Sequence, residues 1–273
     1  MSIRQLPSRA IEKVWGRIDV PTSFGDGSGF NGPIGEIWFE DRHDSPLLVK
    51  YLFTSQKLSI QVHPSDDQAR ASGYSRGKDE AWYVLSAEPD AVIGAGFAAA
   101  LSSDDLRAAA LDGSIDAVMT WHPVKPGDFF YVPAGTVHAI GAGLSLLEIQ
   151  QNVDLTYRLF DYGRPRELQL EQGLAASRPG PIVRIPANVV DAFREVLAEG
   201  AKIAIERLRG PSVQEMRAYA DAPTWLMPIT EGCANEGVEM PAGTVWLADT
   251  PTLIRLGPDA CLLAACAGDK ARL

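Results

Sequence analysis

Three short stretches carry the residues able to do chemistry. QVHP (61–64) sets Gln61 and His63 two apart, so in an extended chain both point to one face and Val62 to the other. Pro64 ends any ladder and restricts His63 to extended geometry. GKDEAWYVL (77–85) carries Lys78 and Glu80, again two apart, at the head of an alternating strand. GDFFYVPAGTVHAIG (127–141) runs an apolar strand into a Pro133-Ala134-Gly135 turn and returns with His138. Proline presets its own dihedral and glycine admits geometry that other residues resist, so such a hairpin can deliver His138 inward. Two imidazoles, one carboxylate and the Gln61 amide oxygen make a mixed N/O donor set that suits Zn²⁺ or another divalent cation. One formal negative charge leaves the held cation net positive, fit for a Lewis-acid or orienting role. His43, in EDRHDSP, reads instead as a solvated turn, and His122, in TWHPVKPGD, as a strand end or pocket wall.

A second set of residues answers to an anion. SLLEIQQNVDLTYRLFDYGRPR (145–166) passes from an alternating strand bearing Glu148 and Gln150 to Arg158, Asp161, Arg164 and Arg166. The planar fork of arginine matches phosphate, and Lys57, in TSQKLSI, can add to the cluster.

The elements that must position these residues are mainly strands. Runs at 37–40, 47–53, 58–62, 81–85, 91–93, 129–132 and 144–149 are β-branched and aromatic, with Gly, Pro, Asp and Ser between them. Helices are few. Residues 65–72 and 102–113 open on serine and aspartate, and ANVVDAFREVLAEG (187–200) also reads as helical. Three prolines and a glycine in AASRPGPIVRIPA (175–187) mark a boundary. The division is residues 1–178, carrying the histidine site, and residues 179–273, a smaller β domain of short strands without histidine.

The spacing of Gly127, Pro133, Gly135 and His138 is similar to the second motif of the cupin superfamily, with Ala142 where its trailing asparagine usually stands. QVHP, GKDEAWYVL, PAGTVHAIG and EIQQNVDLTYRLFDYGR, in that order, with VWG (14–16) and GPIGEIWFE (32–40), resemble the type I mannose-6-phosphate isomerases in their short bacterial form. The resemblance covers roughly residues 11–168. It implies a cupin-type β-barrel or jelly roll, followed by a degenerate cupin-like β-sandwich, that interconverts D-mannose 6-phosphate and D-fructose 6-phosphate. It implies one zinc per chain, or another divalent metal, held by Gln61, His63, Glu80 and His138. It makes Arg158 the active-site arginine, Lys78 and Glu148 polar residues lining the sugar site, and Ser59 and Arg164 phosphate or sugar contacts, with Lys57 beside them. Such an isomerisation moves a proton between C1 and C2 through a cis-enediol. Its base is Glu148, a metal-bound water, or Lys78 with a lowered pKa; Arg158 stays protonated and holds charge. Arg17 stands where a second glycine is common and Ile140 where some relatives carry tyrosine, both touching substrate contact rather than metal binding. Two other readings remain: a phosphosugar-binding cupin without turnover, and a cupin iron oxygenase, whose two-His-one-carboxylate triad the same residues supply.

Composition sets the outer bounds. A chain of 273 residues, 46% hydrophobic, can bury a sizeable core. A net charge of −10 argues against nucleic acid as a partner. No apolar run reaches the roughly 18 residues of a membrane span, the N-terminus lacks a signal-peptide core, and three late cysteines form no disulfide framework. A cytoplasmic location and a small phosphosugar as substrate, with neither nucleic acid nor membrane as a partner, are the expectation.

Overall fold

The computed structural model describes residues 3–20, 32–183 and 186–271. The chain is mainly β, as expected, and every pairing between strands is antiparallel. A six-stranded sheet runs in the order Ser8–Arg17, Ile34–Phe39, Leu47–Thr54, Leu144–Gln151, Glu80–Ala87, Phe129–Val132. A five-stranded sheet runs Tyr157–Phe160, Ile60–Val62, His138–Ile140, Val92–Phe97, Met119–Pro123. One apolar cluster joins the two, with Trp82, Phe130 and Leu146 from the first sheet and Ile93 and Ile140 from the second. Burying each such side chain is worth about 1.5–3 kcal/mol, so this packing holds the two sheets face to face.

The other face of the six-stranded sheet is also covered. Val49, Tyr51, Phe53 and Ile149 pack against Ile203, Ile205, Trp225 and Leu263 of a seven-stranded sheet formed almost wholly by the C-terminal part. That explains why Leu47–Thr54 and Leu144–Gln151 are buried at every residue. The seven-stranded sheet packs in turn on a four-stranded one through Leu208, Leu226, Met240 and Ile254. The first strand, Ile3–Gln5, crosses over to pair with Trp246–Ala248 of the C-terminal sheet. Among the described residues, no helix is long and apolar enough to cross a membrane.

Two of the expected helices form. Asp66–Ala71 is capped by Ser65, whose side chain and that of Gln68 make a reciprocal capping box. Ser103–Asp112 is capped by Ser102 and stops at Gly113, which takes the left-handed conformation at φ 83°. The helix expected over 187–200 is instead two strands, Asn188–Val189 and Arg194–Glu199. Arg, Glu, Leu and Ala favour helix locally, but Arg194–Glu199 finds a partner strand in Ile203–Arg209 and adds cross-strand pairs of Arg194 with Glu206 and Arg207 with Glu195. Tertiary pairing overrides a weak local preference. The short helices Ile115–Val118 and Leu170–Ala176 were not anticipated.

Candidate metal centre

Adjacent strands bring the sequence-distant residues to one level. Gln61 lies opposite His138 on one side and Arg158 on the other. His63 follows the strand end, and Glu80 opens its own strand. His63, Glu80 and His138 are fully buried and offer ligand atoms all within 4.8 Å of one another. His63 Nε2 lies 3.3 Å from Glu80 Oε2, and His138 Nε2 lies 3.1 Å from Glu80 Oε1.

The carbonyls behind the imidazoles decide their tautomers. His63 Nδ1 donates to Leu155 O at 2.9 Å and His138 Nδ1 donates to Thr136 O at 2.9 Å. A carbonyl only accepts, so each proton sits on Nδ1 and each Nε2 lone pair faces the carboxylate. Burial, helped by the charge of Lys78, pushes His63 down to about 3 and overcomes the pull of Glu80. Burial likewise lowers His138. Both rings are therefore neutral at neutral pH, each with an Nε2 lone pair able to bind a cation. Burial alone would raise Glu80, but the Lys78 ammonium beside it holds it well below the ordinary carboxylate value.

This donor set fits a divalent cation. Neither oxygen of Glu80 accepts a well-aligned hydrogen bond, although it is fully buried. The Lys78 ammonium instead stands in for a cation, 2.8 Å from Glu80 Oε2 and 3.1 Å from His63 Nε2. Gln61 differs from expectation in one respect. Its amide nitrogen, not its oxygen, faces His138 Nε2 at 3.3 Å, while the oxygen accepts from Ser59 Oγ at 3.0 Å. Turning the amide over presents the oxygen to the centre and keeps the Ser59 contact, because a hydroxyl accepts as readily as it donates.

A polar cleft opens beside the centre, lined among others by Ser59, Gln61, Lys78, Glu148, Arg158 and Arg166. Glu148 lies opposite Lys50 on one side and Trp82 on the other. Its carboxylate takes the Trp82 indole N–H at 3.1 Å and lies 3.3 Å from the Lys50 ammonium. Lys50 also donates to Gln150 Oε1 at 2.6 Å. Arg166 forks onto Asp161 with two contacts of 2.6 Å, whereas Arg158 Nε is buried without an acceptor. Burial and the like charge of Arg166 lower the Arg158 pKa from its usual value. A guanidinium so placed asks for an anion.

Lys57 and Arg164 are not brought into this cleft. Lys57 pairs with Asp116 at 3.1 Å over the Trp121 ring, and Arg164 donates to the Lys57 carbonyl at 2.7 Å and pairs with Asp161 at 2.9 Å. Among the cleft residues, Lys50 was passed over, and Arg166 was expected only as one member of the arginine cluster. Lys50 had a signal: one lysine inside the otherwise apolar LLVKYLF run must find a buried partner. His43 is exposed, and His122 packs on Phe130 away from the centre, as expected of both. A roomier cavity of about 760 Å³ lies between Phe129–Val132 and Arg194–Glu199, and it does not reach the three ligands.

No family model matches the chain. Over 175 residues it is 44% identical to the mannose-6-phosphate isomerase of Streptococcus mutans, covering 59% of this chain and 54% of that one. Over 156 residues it is 42% identical to the mannose-6-phosphate isomerase ManA of Bacillus subtilis, covering 52% and 49%. The chain is similar to the type I mannose-6-phosphate isomerases. It spans about half the length of the curated mannose-6-phosphate isomerases it matches. A solved mannose 6-phosphate isomerase from Bacillus subtilis superposes with a TM-score of 0.81 at 25% identity, over 97% of this chain and 99% of that one. A zinc-bound mannose 6-phosphate isomerase shares the fold, with a TM-score of 0.73 at 13% identity over 99% and 100%.

Proposed function

We propose that this chain is a metal-dependent aldose–ketose isomerase that interconverts D-mannose 6-phosphate and D-fructose 6-phosphate in the cytoplasm, with residues 1–178 as the catalytic unit. The observation that carries this reading is the pair of neutral Nε2 lone pairs and the buried Glu80 carboxylate converging beside a cleft where Arg158 Nε has no acceptor. His63, Glu80, His138 and the turned amide of Gln61 would hold the metal, and zinc suits this N/O set and is the ion bound in one protein of the same fold. When bound, zinc supplies a Lewis acid that polarises substrate oxygens.

The remaining steps belong to the chain's own side chains. Lys78 is held charged: burial works to lower its pKa, but Glu80, Glu148 and Glu36 outweigh burial and raise it. That charge depends on Glu80, so with Glu80 and His63 given to a cation Lys78 would be released to face a substrate oxygen. Glu148 is a cleft carboxylate that can move the proton between C1 and C2, with Trp82 and Lys50 holding it in place. Arg158 meets the charge that develops on the enediolate oxygens. Ser59 lines the cleft and can contact the sugar, whereas Lys57 and Arg164 are engaged with Asp116 and Asp161 outside it.

The test is conversion of mannose 6-phosphate to fructose 6-phosphate by zinc-loaded protein, with and without a chelator. Chelator-sensitive turnover is the expected result. Stoichiometric zinc with phosphosugar binding but no turnover would favour a binding protein on the same scaffold instead.

A further inference from the structure

The residue between Lys78 and Glu80 has a role that the isomerase chemistry does not use. Asp79 is buried just before the Glu80 strand, and it lies beside Phe129, Tyr131 and Pro133 rather than at the centre. Its Oδ1 accepts from the Ala134 N–H at 2.9 Å, and its Oδ2 accepts from the Tyr131 hydroxyl at 2.6 Å. Ala134 is the middle of the turn that delivers His138. Both oxygens of Asp79 are thus taken by donors, and Asp79 is not one of the residues gathered at the centre.

Backbone contacts close the frame. Gly135 N–H donates to His63 O at 2.8 Å, Lys78 N–H to Pro64 O at 3.1 Å, and Asp79 N–H to Gln151 Oε1 at 2.9 Å. The three ligand-bearing segments are therefore tied to each other before any metal binds. The C-terminal domain closes the frame from outside. Lys202 pairs with Asp66 at 2.6 Å, and Asp66 Oδ1 also accepts from Gly77 N–H at 2.8 Å and Gln151 Nε2 at 3.1 Å. Tyr131 lies so close to Gly200 that a Cβ there would overlap its ring and hydroxyl.

We propose that Asp79 is a positioning residue that fixes the Glu80 strand to the His138 turn, and that the C-terminal loop of residues 200–202 holds this brace in place through Tyr131 and Asp66. This rests on the metal reading above. It gives the C-terminal domain a part in metal binding although none of its residues reaches the centre.

The test is zinc affinity, measured by competition with a chromophoric chelator, alongside thermal unfolding of the metal-free proteins. Asp79→Ala removes both acceptors and should weaken zinc by about 10–100-fold, the range seen when partners behind metal ligands are lost. Asp79→Asn should stay within about threefold of the parent, because its oxygen still accepts from Ala134 and its amide donates to the Tyr131 oxygen. Equal zinc affinity in the parent and Asp79→Ala, with only the unfolding temperature lowered, would overturn the proposal. So would an Asp79→Asn as weak as Asp79→Ala, since charge rather than hydrogen bonding would then be the cause. If Asp79→Ala does not fold, Tyr131→Phe and Lys202→Ala take its place; weaker zinc in either supports the brace, and unchanged zinc in both overturns it. A parent chain that bound no zinc would overturn the metal reading itself, a result distinct from all of these.

Discussion

At the scale of single residues, the centre separates holding a metal from using it. His138 offers its Nε2 to the centre, and Arg158 lies across the Gln61 strand from it with no acceptor for its Nε. His138→Ala should therefore lose both zinc and turnover. Arg158→Ala should keep zinc at one per chain yet lower kcat by about 100-fold, the usual cost of removing a group that meets transition-state charge. Metal analysis beside steady-state kinetics checks both, and an Arg158→Ala enzyme with full kcat and a raised KM would reduce that arginine to a binding contact. The residues expected to make this centre were legible because their spacing is local: Gln61-x-His63 and Lys78-x-Glu80 share faces by strand alternation alone. Lys50 was not legible as a cleft residue, and the cluster did not show which of its arginines the cleft takes. Which arginine of a cluster enters the cleft depends on Asp161, which engages Arg164 and Arg166 but leaves Arg158 Nε free.

At the scale of elements, the turn before His138 is the delicate piece. Gly135 has φ 89°, and a Cβ there would press on Arg178 and the Ala176 carbonyl at 3.1 and 3.2 Å. Gly135→Ala should cost about 1–2 kcal/mol, the penalty of a left-handed non-glycine residue, visible as a lower denaturation midpoint. Because Gly135 N–H also holds His63 O, zinc binding should weaken in the same variant. The strand Arg194–Glu199 shows where reading by element fails. Its residues favour helix, and only the neighbouring strand Ile203–Arg209 and its charged partners make the extended form better.

At the scale of the whole molecule, the packed sheets are joined across the boundary by apolar contact and by Asp66–Lys202. Burial acts to raise the Asp66 pKa, but Lys202, the Gly77 N–H and Gln151 outweigh it and lower it to about 2 from an ordinary 3.8. A depressed carboxylate stabilises the folded state above the unfolded pKa, so the contribution of Asp66 is complete above about pH 4 and is lost as pH falls through about 2. Denaturation of the parent and Asp66→Asn at pH 5 and pH 3 should show their stability gap narrowing at the lower pH; a gap that held constant would remove this assignment. Zinc should raise the unfolding temperature of the whole chain. At a thousandfold excess over Kd the gain is about 4 kcal/mol, and a chelator should reverse it in a calorimetric scan.

The sequence by itself determined the donor types, their local pairing on strand faces, the mainly β class and the anion-seeking arginines. Those depend on two-residue periodicity and on turn residues, which act over a few positions. The tertiary structure alone decided that His63, Glu80 and His138 meet within one buried volume, that both rings carry their protons on Nδ1, and that the C-terminal sheet covers the six-stranded sheet. Each of these is set by antiparallel register or packing between segments far apart in the chain, and no local pattern encodes it.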